Sequence, residues 1–357
     1  MPTVLFHSAV GATLDLFVAP ISRALAGYDF RRVAVVGRGS VPATMAAGFD
    51  AVHEVAPFRR GSPRSIARAG RDLERIIRSE KADLLHLHSP YGIALGRLAA
   101  HATRTAHMAV VHGTLFGMRN AAGKLFSTVE STAARLTKTY VTLNPDDRDS
   151  YRRLAPRSKV HLAPCGGAGI DLDRLMSEAA QAPLARNKPP RVLVMGRLTP
   201  DKNLDLAVAA WRLARQSEPD LELRIVGSPV PGEPPWVPPE EPGITTASWT
   251  AQPGAELARA TVLLSTSRRE GFPMVLAEAL ALGTPVVAVD NRGSRAVAGQ
   301  VQEGMTIVPA RAAAVSSAVL AQLRARTVRV PSSVLRSWAQ DTVVDFHVAR
   351  IVEAASR

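Results

Sequence analysis

The chain has 357 residues, 46% of them hydrophobic but only 5% aromatic, and a formal net charge of +13. That length suits two ordinary domains, and no run approaches the roughly 18 uncharged apolar residues of a membrane span. A single cysteine, Cys165, excludes an intrachain disulfide and a cysteine-based metal cluster, so a cytoplasmic protein is expected. Residues 1–170 hold 23 Lys/Arg against 12 Asp/Glu, and the remainder 21 against 19. The basic first half points to an anionic partner, although an arginine-rich genome would have the same effect.

The opening MPTVLFHSAVGATLDLF has no basic stretch ahead of its apolar run and reads as strand, loop and helix, not as a signal peptide. A strand is expected at 4–7, a small-residue loop at 9–13 and a helix at 14–26. Further strands are expected at 32–36 and 51–55. The loop GRGSVPA imitates a dinucleotide fingerprint, but Pro42 stands where the third glycine belongs, so a Rossmann NAD site is rejected. After a basic helix come strands at 83–88, 107–112, 139–143 and 159–162, with helices at 90–102 and 120–137. Aliphatic strands alternating with helices imply a parallel sheet covered on both faces.

The segment GGAGIDLDRL at 166–175 interrupts this rhythm, with Asp171 as a helix cap, and a polar linker follows to residue 190. A second α/β unit then runs through strands at 191–195, 221–226, 244–249, 262–264, 285–289 and 305–308. Its helices are expected at 203–216, 253–259, 273–282 and 311–325, with a last one at 333–355. The proline-rich stretch 228–243 is an exposed loop. The expected domains are 1–170, a hinge at 171–190, 191–332, and a terminal helix at 333–357 returning to the first domain. The class is α/β, two Rossmann-like, doubly wound domains facing across a cleft.

The chemistry concentrates in STSRREGFPMVLAEALALGTPVVAVDNRG, residues 265–293. Glu270 stands on the lip of a helix and Glu278 lies inside it, one turn below Met274. An ionised carboxylate only accepts hydrogen bonds and takes two hydroxyls at once, which suits a vicinal diol. The helix start at Gly271, Phe272, Pro273, Met274 and Val275 is the expected seat for phosphate, through the free backbone amides on either side of the proline. Either glutamate alone reads as an ordinary helix residue; the two together around a phosphate seat describe a nucleotide-sugar. In GRLTPDKNLDLAV, Gly196 permits close backbone approach, and Arg197 and Lys202 place two cations where a departing nucleoside diphosphate develops charge. Trp249 and Thr250 close a strand where a base would stack, though a rim tryptophan is equally consistent.

A second feature is basic. Arg60, Arg64, Arg68, Arg71, Arg75 and Arg78 recur every three or four residues, one arginine stripe on a helix. Asp72 and Glu74 lie off it. The stripe suits anionic lipid headgroups or a lipid-pyrophosphate acceptor, whereas few aromatics are available to stack nucleic-acid bases. His86 and His88 alternate with leucines, one expected buried and the other near a cleft, with no third ligand for a metal. Asp171-Leu172-Asp173 is discounted as a metal motif.

The Glu-x7-Glu spacing around EGFP resembles glycosyltransferase family 4, whose retaining enzymes have the GT-B fold. The resemblance implies that Glu270 faces the donor sugar and Glu278 the ribose, while Arg197 and Lys202 stabilise the leaving diphosphate. It places Gly11 against the donor phosphate and His112 on the donor sugar, so Glu270 and His112 are the expected catalytic pair. No metal or other cofactor is expected. PFRRGSP, HLHSPYG, VHGTLF and DNRGSRAV are similar to the subgroup that builds capsule and O-antigen polysaccharide. The implied activity is transfer from a nucleotide-sugar, with UDP the expected nucleotide, to a lipid-linked saccharide at the inner membrane face. A soluble small-molecule acceptor and a catalytically idle scaffold are the alternatives.

Overall fold

The computed structural model describes residues 1–39, 41–42, 44–58, 62–114, 121–182, 189–230, 236–324 and 328–356, with backbone only at 121, 122, 125 and 126. The chain forms two compact units, Met1–Gly169 with Asp341–Arg357, and Ile170–Gln340.

In the first unit the order is β1 (Thr3–Ser8), α1 (Gly11–Phe17), α2 (Ala19–Leu25), β2 (Arg31–Gly37), β3 (Ala51–Val55), α3 (Pro63–Ser79), β4 (Leu84–His88) and α4 (Pro90–Thr103). Then follow β5 (Ala106–Val111), α5 (Ala121–Ala133), β6 (Thr139–Thr142), α6 (Pro145–Leu154) and β7 (Lys159–Leu162). The strands are all parallel, in the order β3-β2-β1-β4-β5-β6-β7. The central strands are buried on both faces, every residue of β1 and β4 included, as their near-continuous apolar runs require.

Three local features differ from the sequence expectation. The helix at 14–26 is two helices broken at Val18 (φ −119°), because Pro20 has no amide to continue a helix through that point. Gly11 therefore opens a helix and does not sit in a long loop. The helix α6 had no counterpart in the sequence reading. Its signal was present: the Asn144 side chain accepts from the Asp147 amide at 2.7 Å, Pro145 stands in the first turn with Asp146 and Asp147, and Arg152 and Arg153 stand in the last.

The second unit contains α7 (Leu172–Ala180), β8 (Arg191–Met195), α8 (Leu204–Arg215), β9 (Glu222–Val226), β10 (Ile244–Ala247), α9 (Pro253–Ala258) and β11 (Val262–Ser265). It continues through α10 (Met274–Ala281), β12 (Val286–Val289), α11 (Arg292–Ala298), β13 (Met305–Val308), α12 (Ala312–Leu323) and α13 (Ser332–Trp338). Its strands are also all parallel, ordered β10-β9-β8-β11-β12-β13. The stretch expected as a hinge thus begins with α7, whose Asp171 cap accepts from the Arg174 amide at 3.0 Å. The expected helix at 333–355 divides at Ala339, where ψ swings to 142°. Its second part, α14 (Gln340–Ala355), belongs almost entirely to the first unit.

Both sheets therefore reverse their strand order beside the first strand of the unit, between β1 and β4 and between β8 and β11. Crevices at the carboxyl ends of such paired strands are where doubly wound sheets hold ligands.

Candidate active site

In the second unit the crevice at the β8/β11 reversal is a cleft with about 380 Å³ of open space, whose lining includes Gly196, Arg197, Lys202, Thr266, Glu270 and Val275. The chain after β8 turns tightly at Gly196 (φ +154°), a conformation suited to glycine. The end of β9 comes so close that a Cβ on Gly227 would lie 1.8 Å from the Gly196 carbonyl oxygen. Gly196 is required by its backbone conformation, and Gly227 by this close approach.

Lys202 extends over Gly196 and donates from Nζ to Glu270 Oε1 at 2.6 Å. The two side chains are 17% and 16% exposed, so the pair is shielded yet open to an incoming ligand. The segments carrying them are tied together three more times. Thr266 Oγ1 donates to the Lys202 carbonyl at 2.8 Å, and the Arg268 guanidinium reaches Asn203 Oδ1 at 2.9 Å. The Arg268 amide donates to the Asp201 carbonyl at 2.8 Å, a main-chain bond that holds whatever side chain occupies either position. Arg197 is half exposed and lies 3.5 Å from Asp201. Burial opposes ionisation of Asp201, but the Thr199 hydroxyl and the charges of Arg197 and Lys202 outweigh it and hold its carboxyl below the usual range.

Two residues that sequence reasoning did not assign fix the lip carrying Glu270. Asn291 is buried and caps α11, accepting from the Ser294 amide at 2.9 Å, and it donates to the carbonyls of Ser267 at 3.0 Å and Val289 at 3.2 Å. A Cβ on Gly293 would lie 2.6 Å from Glu270 Cβ. The signal was the DNRG run itself, an Asn cap followed by a glycine that permits close approach.

The remaining residues expected in the donor site are placed as follows. Pro273 is the cap position of α10 and lies just outside the helix, so the helix amides start at Met274. Gly271, Phe272 and Pro273 are buried beneath the lip. Trp249 is 59% exposed, its amide held by Ser228 Oγ at 3.0 Å, and Thr250 Oγ1 accepts from the Gln252 amide. Glu278 is not among the residues lining the cleft. One turn beyond Met274, it faces Glu178 and Arg174 of α7. Burial, reinforced by Glu178 and opposed by Arg174, pushes its carboxyl up to about 7. Glu178 is itself engaged, accepting from Arg174 Nε at 2.7 Å and from the Gly254 amide at 2.9 Å.

In the first unit, Gly11 is buried at the start of α1, and His112 follows the last residue of β5. His112 stacks on Phe17 with ring centroids 5.9 Å apart. Two residues on, Thr114 Oγ1 donates to Asp147 Oδ1 at 2.8 Å, anchoring the His112 turn to the start of α6. Of His86 and His88, one was expected buried and the other near a cleft; both are buried, at 0% and 1% exposed. Both lie on one face of β4, at period two, and that face is sealed.

The arginine stripe is exposed on α3 at Arg64, Arg68, Arg71, Arg75 and Arg78; Arg60 lies outside the described residues. Its outer end is partly neutralised, since Arg75 pairs with Asp72 at 3.0 Å and Arg78 with Glu74 at 3.6 Å. The expectation that the acids stand clear of the stripe is therefore corrected, because on a helix they fall three and four residues from those arginines. Among the described residues, no helix is long and apolar enough to cross a membrane.

Comparison with known proteins agrees with this layout. The family model described as Glycosyltransferase Family 4 matches residues 17–174, and that described as Glycosyl transferases group 1 matches residues 189–325. EpsD of Bacillus subtilis (strain 168), described as a glycosyltransferase, is 26% identical over 275 residues, 70% of each chain. Sucrose-phosphate synthase from Thermosynechococcus elongatus superposes with a TM-score of 0.75 at 16% identity, covering 99% of this chain and 100% of that one. HepE of Anabaena, solved with UDP-glucose, gives 0.72 at 15% identity, with 99% and 100% covered. The fold is the two-domain α/β fold of the GT-B glycosyltransferases.

Proposed function

The chain belongs to the group 1 glycosyltransferases of family 4, and from that premise we propose that it transfers a sugar, with retention of configuration, from a UDP-sugar to a hydroxyl of a lipid-linked saccharide. The observation that carries the donor half is the shielded Lys202–Glu270 pair at the strand-order reversal of the second sheet. There, Lys202 and Arg197 meet the pyrophosphate together with the amides of Met274 and Val275, and Glu270 takes hydroxyls of the sugar. Glu278 binds the ribose diol, and Trp249 with Thr250 borders the base. In the first unit, Gly11 and His112 are the proposed substrate-facing residues.

The chemistry asks for stabilisation of a leaving diphosphate. Two fixed cations and helix amides supply it, and no metal is required. The acceptor attacks from the face the diphosphate leaves, and the diphosphate takes up the acceptor proton. That UDP and UDP-glucose are bound by HepE supports the choice of donor. Polysaccharide assembly at the inner membrane face is supported by the arginine stripe, whose stretch at Arg64, Arg68 and Arg71 suits lipid phosphate.

A thermal-shift screen of UDP-, GDP-, ADP- and dTDP-sugars, with and without EDTA, tests this reading. A UDP-sugar should raise the melting temperature, EDTA should leave that rise unchanged, and Glu278→Ala should abolish it. Absence of any shift with all four donor classes would contradict the proposal.

A further inference from the structure

The first unit holds a chain of three histidines. His86 Nδ1 lies 2.7 Å from His88 Nε2, and His88 Nδ1 lies 2.8 Å from His112 Nε2. We propose that His86 and His88 are positioning residues that lock His112 in the Nδ1–H tautomer, so that His112 meets its substrate oxygen as a hydrogen-bond donor. The inference rests on the reading of His112 as a substrate-facing group.

A neutral imidazole carries one N–H, and each ring-to-ring contact needs one N–H and one bare nitrogen. His88 uses both of its nitrogens, so it must donate through one and accept through the other. Direction therefore propagates along the chain. Only two neutral arrangements satisfy both contacts: all three rings protonated at Nδ1, or all three at Nε2. Burial holds the rings neutral, lowering His86 and His88 well below the ordinary histidine value and His112 to about 4.

The sealed end of the chain chooses between the two. His86 Nε2 is buried without a partner, with Phe6 edge-on at 5.2 Å and His347 at 6.3 Å between ring centroids. In the Nε2–H arrangement this position strands a donor; in the Nδ1–H arrangement it leaves a bare acceptor. Buried unpaired donors are the rarer of the two. His7, on the adjacent strand β1, makes that choice, although His347 beside His86 has neither ring nitrogen partnered and so strands a donor in either tautomer. The Nδ1 of His7 faces the Val35 carbonyl at 3.0 Å, a group that only accepts, so neutral His7 is an Nδ1–H tautomer with a bare, unpartnered Nε2. His86 follows the same pattern, and the pattern passes through His88 to His112. The outer nitrogen of His112 then carries the proton, and the ring is held in plane by Phe17.

Long-range proton–nitrogen correlation spectra of the nitrogen-15 histidine-labelled protein, without any nucleotide, test the proposal. His86, His88 and His112 should each show a protonated Nδ1 and a bare Nε2. Any one of the three in the other tautomer, or His112 as a mixture, would overturn it. In His88→Leu, His112 should relax to a mixture of tautomers, and kcat should fall by up to about tenfold, the size of one misdirected hydrogen bond, with KM for the donor little changed. His112 remaining wholly Nδ1–H in that variant would equally overturn the lock. Should His88→Leu fail to fold, His86→Leu and the wild-type spectrum decide. Because the spectra need no ligand, failure of the lock is distinguished from failure of the donor-site reading, which a separate nucleotide-sugar titration reports.

Discussion

The carboxyl ends of the two sheets carry opposite chemistry on the same winding. Along β4 and just after β5 the first unit places His86, His88 and His112 in a line, two of them sealed from solvent and all held neutral by burial. After β8 and β11 the second unit places no histidine in the cleft lining, but a cation and a carboxylate, Lys202 and Glu270, at its edge. Each unit also contains a well-made ion pair, and these differ in the same sense. Arg97 and Glu130 are 1% and 4% exposed, and Arg97 also bonds Thr137 and Tyr140. Lys202 and Glu270 are shielded but keep a face to solvent. Strand order positions an edge; the residues that follow each strand decide whether the edge closes into a core or stays open to a ligand.

The largest expected effect breaks the closed pair. Arg97→Met strands Glu130 and should destabilise the protein by about 3–5 kcal/mol, whereas Arg97→Met with Glu130→Met should recover most of that loss. Equilibrium unfolding of both variants checks this, and equal stability of single and double variants would sink it. At the open pair the loss should fall on activity. Glu270→Gln should lower kcat by roughly 10²–10³ while its melting temperature stays near that of the wild type, and a large fall in melting temperature would show that the pair serves the fold.

A smaller effect separates the two glutamates of the donor motif. With its carboxyl raised from 4.5 to about 7, Glu278 holds a proton in the folded chain that it would release unfolded, so its contribution to stability declines as pH rises through that window. Its capacity to accept two ribose hydroxyls grows over the same range. UDP-sugar affinity should therefore strengthen as pH rises through about 7, and Glu178→Gln should move that rise to lower pH; titrations across pH that show no slope would contradict the assignment. The smallest effects belong to α3. Charge reversal at Arg64, Arg68 and Arg71 should weaken sedimentation with anionic liposomes by about 1 kcal/mol per site, and more than reversal at Arg75 and Arg78, which already face acids. Salt-independent sedimentation would remove the membrane role.

Much of this was legible in the sequence because it is local. Aliphatic runs bounded by turns marked the strands, and Gly283 (φ +80°) ends α10 where the apolar pattern stops. Gly196, Arg197, Lys202, Glu270 and Val275 were recognisable from strand-to-helix junctions and meet in one cleft. What was not legible depends on partners far along the chain. Whether His86 and His88 face outward depends on helices packed over β4, and the first unit covers that face, with His347 of α14 against His86. Arg97 sits in a helix of small residues whose burial against Glu130 no local spacing announces. Glu278 was placed inside the helix one turn below Met274, but the neighbours that set its charge come from α7, far earlier in the chain. Pro20 and the Asn144-Pro145 cap were local signals and mark α2 and α6 once each residue is weighed for its missing amide or its capping oxygen.

On the proposed reading, the edge of the second sheet binds a nucleoside diphosphate through Lys202, beside Glu270. Calorimetric titration of UDP into the wild type and Lys202→Ala, with His112→Ala as the first-unit control, tests it most directly. Loss of one charge-assisted contact should weaken UDP binding in Lys202→Ala by roughly 10- to 100-fold, while His112→Ala keeps wild-type affinity for UDP. Equal UDP affinity in wild type and Lys202→Ala would contradict the account.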